Sequence, residues 1–164
     1  MMMVMEYHNP VLLHASVDGL NIKPDGIYVD VTFGGGGHSR EILSRLGPNG
    51  KLFAFDQDED ALANAIEDNR FVLINENFRY IKRFLRFYGI KSVDGILADL
   101  GVSSHQFDVA ERGFSTRFNA ELDMRMSQKN DLNAYKVINE YDEANLRRVF
   151  SDYGELKIAP AIAK

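Results

Sequence analysis

A run of four glycines in the segment DVTFGGGGHS is the feature of this sequence that points most directly to chemistry. The run, Gly34 to Gly37, stands between an apolar stretch containing Asp30 and a helical pattern that begins at Ser39. Glycine accepts positive φ angles and lets a ligand approach bare backbone. The start of a helix presents N–H groups and the positive end of its dipole. The turn therefore predicts a nucleotide-type ligand at a strand-to-helix junction.

The spacing of the glycines separates several kinds of ligand. The dinucleotide fingerprint G-x-G-x-x-G, begun at Gly34, requires glycine at position 39, where the chain has Ser39. No Gly-Lys-Ser/Thr follows, which argues against a P-loop. The pattern D-x-G-x-G-x-G fits as Asp30-x-Thr32-x-Gly34-x-Gly36, with threonine in the first glycine's place. That variant is typical of S-adenosylmethionine (SAM)-dependent methyltransferases, in which Asp30 can pair with the methionine ammonium.

Asp56 and Phe78, which follow the second and third predicted strands, extend this site. Asp56 ends the second strand, 20 residues after Gly36, and is placed to accept hydrogen bonds from both ribose hydroxyls. Its presence fits an unphosphorylated ribose and argues against NADP. A helix N-cap is the alternative for Asp56, although Asp58 can supply that cap. Phe78, after the third strand, can lie against an adenine ring, with core packing as an equal alternative.

Asp99 is the candidate catalytic residue. It ends a fourth apolar run, in the segment ILADLGVSS, and so faces the crevice where a methyl donor and an acceptor would meet. Amino methyltransferases commonly place Asp, Asn or Ser here, followed by Pro-Pro and an aromatic residue. This chain keeps the acid but continues with Leu-Gly-Val. Another residue must then stack on the acceptor, and the nearby candidates are Phe107, Phe114 and Phe118.

The elements that must position these residues alternate along the chain. Unalternating apolar runs, typical of strands buried on both faces, occur at Ile27–Val31, Lys51–Phe55, Phe71–Asn75 and Val93–Leu100. Helical patterns separate them at Ser39–Leu46, Glu59–Asn69 and Arg79–Tyr88. This order predicts an α/β, Rossmann-like fold with a parallel sheet in the order 3-2-1-4 and a crevice between strands 1 and 4.

The chain changes character after Leu100, and we expect two parts, residues 1–105 for cofactor binding and residues 106–164 as a loop followed by helices. Gly101–Asp131 is rich in Gly, Ser, Phe and Arg, whereas Asn133–Tyr153 has a helical pattern. Strands five to seven of a complete doubly wound sheet are not recognisable in the sequence. We therefore expect a sheet truncated before its last strands.

Composition limits the possible functions. The 164 residues are 45% hydrophobic and 26% charged, which suits a globular domain. The lack of cysteine excludes a thiolate metal site or thiol nucleophile and suits a reducing cytoplasm. No signal peptide or membrane-spanning run is recognisable. Because the net charge is −5, any contact with nucleic acid must come from local basic patches.

Three later segments together resemble one family of enzymes. They are Asp99–Asp108 (DLGVSSHQFD), Glu111–Ser115 (ERGFS) and Leu122–Met126 (LDMRM), and shorter matches occur at His8–Leu13, Thr32–Ser39 and Asp152–Glu155. These segments are similar to the bacterial ribosomal-RNA small-subunit methyltransferase H family, of the MraW type. The resemblance spans nearly the whole chain and corresponds to about the first half of a family member.

The resemblance implies a reaction and a set of residues. Members of the family methylate N4 of a cytidine in the decoding region of small-subunit (16S) rRNA, with SAM as cofactor. By position, the cofactor contacts implied are Gly36, Gly37, His38, Asp56, Phe78, Asp99 and Gln106. Asp99 is also the implied catalytic residue. A helical insertion after strand four helps family members to hold RNA, and here it has only begun by Lys164.

Several charged residues have less specific interpretations. Arg79, Lys82, Arg83 and Arg86 form a helical stripe beside an aromatic row of Tyr80, Phe84 and Phe87; a solvated helix face is the commoner reason for such a stripe than RNA binding. We expect Arg125 to pair with Asp123, whereas phosphate binding and pairing with Glu111 or Glu121 stay open for Arg112 and Arg117. His8, His14, His38 and His105 lack metal-ligand spacing, and we expect a neutral His38 to bind the cofactor's carboxylate.

The sequence-based interpretation is a SAM-dependent methyltransferase of the rRNA cytidine N4 amine that needs no metal. A small-molecule methyltransferase is the first alternative, and the acidic net charge favours it. A SAM-binding module without activity is the second, and an NAD dehydrogenase fits least because of Ser39. The sequence leaves the oligomeric state open, a homodimer included.

Overall fold

The structure is a computed structural model that describes residues 10–164. His8 and Asn9, which belong to the first segment of the resemblance, lie outside the described residues. The described chain divides between Ser104 and His105 into two compact units. In this range no helix combines the length and apolar character needed to cross a membrane.

The first unit is built on a four-stranded parallel sheet. Its strands are β1 (Ile27–Asp30), β2 (Lys51–Phe55), β3 (Phe71–Ile74) and β4 (Gly95–Leu97). Their order is β3-β2-β1-β4, and all three neighbouring pairs are parallel. The α/β class and the strand order predicted from the sequence are confirmed. Asp30 at the end of β1 stands in register between Ala54 and Leu97.

The fourth strand is much shorter than the predicted run Val93–Leu100. Before it, the carboxylate of Asp94 accepts hydrogen bonds from Lys23 Nζ at 2.8 Å and from the Ile27 backbone N–H at 2.9 Å. After it, the backbone N–H of Asp99 binds the side chain of Thr32. These side-chain hydrogen bonds add to the backbone bonds at both ends of β4, where the Asp94 N–H donates to the Ile27 carbonyl at 2.7 Å and the Val31 N–H donates to the Leu97 carbonyl at 2.9 Å.

The helices of this unit partly match the patterns. They are α1 (Leu13–Gly19), α2 (Gly37–Arg45) and α3 (Ile81–Phe87), with 3-10 helices at Glu59–Asn64 and Phe78–Tyr80. The sequence did not predict α1. The helix predicted over Glu59–Asn69 is wrong beyond Asn64. Ala65 leaves the helical conformation, with ψ 140°, and Ile66 packs against the core.

Three apolar clusters line the sheet, and the smallest contains Phe33, Ala54 and Ala61. The other two are larger. Tyr28 and Leu52 belong to one, with Val17 of α1 and Ile42 of α2; Val29, Phe53 and Phe55 belong to the other, against which α3 packs. Core on both sides explains the unalternating apolar runs. The predicted aromatic row on α3 does not exist, because Phe84 packs against this core and Phe87 is 80% exposed.

The second unit contains short helices, α4 (Ser104–Asp108, starting at the division), α5 (Ala134–Glu140), α6 (Glu143–Asp152), α7 (Ala159–Ile162) and a 3-10 helix at Ala110–Arg112. The helical pattern Asn133–Tyr153 forms two helices, because Tyr141 is extended and the Asp142 side chain caps α6 by accepting from the Asn145 N–H. In the ERGFS segment, Gly113 has φ +71°, and a Cβ there would lie 2.6 Å from the Glu121 carbonyl oxygen. That segment therefore packs closely against the one before LDMRM.

Candidate active site

The glycine turn combines close packing with one open position. Gly36 has φ +77°, and an added Cβ would meet the Arg40 side chain at 2.7 Å and the Phe33 ring at 2.9 Å. A Cβ on Gly37 would lie 2.4 Å from Pro10 Cγ. Gly34 has φ +50°, but no described atom lies within 4 Å of the corresponding point. Packing therefore requires glycine at positions 36 and 37, while the space at the Cβ position of Gly34 is open to a ligand.

Asp30 braces this turn from inside. Its side chain is fully buried; Oδ2 accepts from Ser39 Oγ at 2.7 Å, and Oδ1 accepts from the Thr32 N–H at 3.0 Å. Burial raises the pKa of the Asp30 carboxyl, and the hydrogen bonds from Ser39 and Thr32 oppose that rise. The expected pairing of Asp30 with a methionine ammonium is wrong, because the carboxylate points into the turn. Ser39, where the dinucleotide fingerprint has glycine, is one of its two partners.

Asp56 links the end of β2 to the open glycine. Its Oδ2 accepts from the Gly34 N–H at 2.7 Å, and its Oδ1 accepts from the Asp58 N–H at 2.9 Å. Asp58 caps the following 3-10 helix by accepting from the Asp60 N–H. The predicted alternative, in which Asp56 is the cap, therefore does not apply. The half-buried Asp56 carboxylate lies beside the turn that the sequence singled out.

His38 and Asp99 meet on the other side of the turn. His38, in the first turn of α2, is 5% exposed, and its Nδ1 lies 4.0 Å from Asp99 Oδ2. Its Nε2 is buried without a hydrogen-bond partner among residues 10–164. Asp99 presents 57% of its side chain to solvent. A buried ring nitrogen without a partner is unfavourable and indicates a site for a polar ligand or a water molecule.

A pocket of about 300 Å³ borders this pair. Six of its nine lining residues are apolar; they belong to the segment before α1, to Leu20 and to the end of β4. The polar groups of Ser16, His38 and Asp99 complete the walls. Gly34, Asp56 and Phe78 are not among its lining residues. Of the predicted site residues, the pocket therefore includes His38 and Asp99. Asp56 and Phe78 lie outside it, after the ends of β2 and β3.

Phe78 follows β3 and is 40% exposed, which argues against core packing as its role. The preceding residue, Asn77, caps the local 3-10 helix and donates from Nδ2 to Gln57 Oε1 at 2.8 Å. This bond ties the segment after β3 to the segment after β2, so Phe78 and Asp56 belong to one edge of the sheet.

Gln106 and the predicted stacking candidates belong to the second unit. Gln106 is buried in α4, Phe107 and Phe118 are about two-fifths exposed, and Phe114 is half-buried. A contact of Gln106 with the cofactor and the choice of a stacking residue stay predictions.

Three residues that shape the turn were not predicted from the sequence. Thr32 Oγ1 accepts from the Asp99 N–H at 2.8 Å. Asn64 Nδ2 donates to the Gly34 carbonyl at 3.1 Å, and Arg40 Nη1 donates to the Gly35 carbonyl at 2.6 Å. A signal existed only for Thr32, which replaces the first glycine of the methyltransferase pattern with a side chain that can form hydrogen bonds.

The arginines of the second unit have partners inside that unit. Arg125 pairs with Asp123 at 2.6 Å, as predicted, and its hydrogen bonds lower the pKa of the Asp123 carboxyl. Arg117 pairs with Asp108 at 2.7 Å rather than with an acid named from the sequence. Arg112 is buried and donates to the Arg125 carbonyl at 2.9 Å. These contacts favour pairing over phosphate binding for Arg125 and Arg117, and burial argues against phosphate binding for Arg112.

Comparison with known proteins adds evidence to this geometry. The profile of a family described as the MraW methylase family matches residues 5–164. The ribosomal RNA small subunit methyltransferase H of Flavobacterium johnsoniae is 85% identical over 160 residues, which are 98% of this chain and 53% of that protein. The protein of the same name from Christiangramia forsetii is 73% identical over 164 residues, 100% of this chain and 54% of that protein. The chain spans about half the length of these relatives.

Among solved structures, TrmN from Thermus thermophilus is 29% identical with a TM-score of 0.46, covering 54% of this chain and 27% of that one. An rRNA-methylase structure from Clostridium thermocellum is 27% identical with a TM-score of 0.41, covering 44% of this chain and 45% of that one.

Proposed function

The chain belongs to the MraW methylase family, and from this premise we propose that it carries the donor-binding half of a SAM-dependent methyltransferase of small-subunit rRNA. The main observation behind the proposal is that the turn after β1 is hydrogen-bonded to two acidic residues, Asp56 and Asp99. Gly34 binds the Asp56 carboxylate and Thr32 binds the Asp99 backbone. A group bound across this turn would therefore have one acid at each end.

The residues of the turn fit SAM on two observations. The space at the Cβ position of Gly34, beside Asp56, is open, and the buried Nε2 of His38 has no partner among the described residues. Asp56 would hold the ribose and Phe78 would flank the adenine, with Gly36, Gly37, His38 and Gln106 completing the contacts. When bound, SAM supplies an electrophilic methyl group.

The finer proposal is that the acceptor is N4 of a cytidine in the decoding region of 16S rRNA. The lone pair of this amine is conjugated with the ring, so the amine is a poor nucleophile. An exposed Asp99 carboxylate can accept a hydrogen bond from N4–H and turn the lone pair toward the donor. The chain's main contribution would then be positioning, and Asp99 can hold the amine proton after transfer. The target base must leave any stacked arrangement to reach Asp99.

The experiment that tests the proposed function uses this chain extended with the remaining half of the Flavobacterium johnsoniae relative. The extended protein is incubated with methyl-labelled SAM and small ribosomal subunits, and the rRNA is digested to nucleosides for mass spectrometry. We expect label in N4-methylcytidine, and at least a hundredfold less with Asp99→Ala, which removes the proposed hydrogen-bond acceptor. Label in another nucleoside would contradict the N4 proposal, and no label in rRNA would contradict the function.

A further inference from the structure

The outer face of α3 carries an uninterrupted set of cations. Lys82, Arg83 and Arg86 are exposed on the helix, and Arg79 is exposed just before it. The opposite side of α3 packs Ile81, Phe84 and Leu85 against the core. We call the four cations the basic face. The separation of the two sides means that the basic face can be altered without touching the core.

The basic face is not neutralised by the protein. Within residues 10–164, no ion pair joins its members to an acid; Arg79 instead lies over the Tyr80 ring at 4.6 Å and donates to its hydroxyl. Other arginines of this unit do have acidic partners: Arg45 pairs with Asp18 and Arg70 pairs with Asp68. In a chain of net charge −5, an uncompensated run of cations is complementary to an anionic polymer.

An aromatic ring flanks the same face. Phe87 is 80% exposed and meets Tyr88 edge to face, with ring centroids 5.2 Å apart. At 100° per residue, Phe87 stands next to Arg83 and away from the core-facing residues. An exposed ring beside cations is the combination with which proteins stack unpaired bases and hold the adjoining phosphates.

We propose that the basic face binds the phosphate backbone of the RNA substrate and that Phe87 stacks on an unpaired base beside it. This inference rests on the proposed function and adds a docking surface to it. The face extends about 10 Å along the helix, so it fits a short single-stranded stretch. Because the cations are unpaired, binding phosphates requires no ion pair to be broken.

The test measures binding of the 164-residue chain to a fluorescein-labelled 30-nucleotide RNA hairpin with a single-stranded loop, by polarisation over a range of KCl concentrations. The test variant is Lys82→Glu/Arg83→Glu/Arg86→Glu. The matched control is Lys51→Glu/Lys91→Glu/Lys157→Glu, which reverses three other exposed cations and gives the same net charge. Thermal unfolding of both variants checks that each is folded.

We expect the test variant to bind at least tenfold more weakly at low salt. The slope of log affinity against log salt should fall by about 2, since each lost phosphate contact removes roughly 0.7 on a single strand. The control variant should keep most of the affinity and the slope. Equal losses in both variants, or no RNA binding by the unmodified chain, would overturn the inference. Equal binding of polyglutamate would also overturn it, by assigning the face to an acidic protein.

Phe87→Ala tests the stacking part separately. We expect about fivefold or greater loss of affinity with an unchanged salt slope, because stacking involves no counterion release. Unchanged affinity would remove Phe87 from the proposal. Methyl transfer by the extended protein keeps the two proposals distinguishable: its absence contradicts the function, whereas equal binding losses in the two charge variants contradict only the docking surface.

Discussion

The backbone N–H of Asp99 donates a hydrogen bond of 2.8 Å to Oγ1 of Thr32. This bond joins the end of β4 to the turn after β1, although the two residues are 67 positions apart in sequence. The Thr32 N–H is in turn held by the buried Asp30 carboxylate at 3.0 Å. The acid proposed to orient the acceptor is therefore positioned by the turn proposed to hold the donor.

Replacing Thr32 tests this positioning. Thr32→Val keeps the shape of the side chain but leaves the Asp99 N–H without its acceptor, and Thr32→Ser keeps the hydroxyl. In the extended protein we expect kcat to fall about tenfold or more with Thr32→Val, because a small displacement of an orienting group is costly. The Kd for SAM should change less than threefold, and Thr32→Ser should recover most of kcat. Equal losses in kcat for Val and Ser would assign Thr32 a packing role only.

Comparing alanine substitutions at Gly34 and Gly89 distinguishes an effect on ligand binding from an effect of backbone strain alone. Gly34 and Gly89 both have positive φ, +50° and +73°, and neither has a described atom within 4 Å of an added Cβ. Alanine at either position should lower the free energy of unfolding by about 1–2 kcal/mol, the cost of a left-handed non-glycine residue. Only Gly34→Ala should weaken SAM binding, by tenfold or more, since its methyl group would occupy the open approach. Calorimetry on both variants checks this, and equal SAM affinities would place the ligand elsewhere.

Removing the Ser39 hydroxyl should destabilise the protein in a pH-dependent way. Ser39→Ala takes one hydrogen bond from the buried Asp30 carboxylate, at a cost of about 1–3 kcal/mol. Burial already raises the pKa of Asp30, so the native state holds its proton more tightly than the unfolded chain does. The free energy of unfolding therefore falls as pH rises from 3.8, the pKa of Asp30 in the unfolded chain, through the raised pKa of the native state. Loss of the Ser39 hydrogen bond raises the native pKa further, so it enlarges this fall.

We expect urea unfolding of Ser39→Ala to show a larger difference from the unmodified chain at pH 7 than at pH 4. Ser44→Ala is the matched control, because the Ser44 hydroxyl donates to the Glu41 carbonyl on an exposed helix face. That control should stay within about 0.5 kcal/mol at both pH values. A Ser39→Ala difference that does not depend on pH would mean that Asp30 is not the group affected.

The sheet was predictable because its signals are local and repeated. Apolar runs, the Gly47-Pro48 stop after α2 and alternating helical patterns determine the order β-α-β-α-β-α-β, and right-handed crossovers then favour one strand order. The boundaries of β4 and the 3-10 helix at Glu59–Asn64 were not predictable from these signals. Both depend on contacts with residues distant in sequence, such as Asp94 with Lys23 and Ile66 with the core.

The site was predictable in its residue types more than in its contacts. Asp56 and the glycine turn follow a known spacing, and the structure joins them through Gly34. The role predicted for Asp30 was wrong because the position of a carboxylate in a sequence motif does not reveal whether its side chain is buried. The link between Thr32 and Asp99 was missed because it depends on the packing of two strands. The place of Gln106 relative to Asp56 stays a prediction.

Isothermal titration with SAM measures whether the chain binds the methyl donor and whether Asp56 holds it. The variant is Asp56→Ala, and the matched control is Asp58→Ala, which removes a neighbouring carboxylate that caps the 3-10 helix. We expect one SAM bound per chain, an affinity at least tenfold weaker with Asp56→Ala, and an affinity within threefold of the unmodified chain with Asp58→Ala. No binding by the unmodified chain, or equal affinity with Asp56→Ala, would contradict SAM binding at this turn.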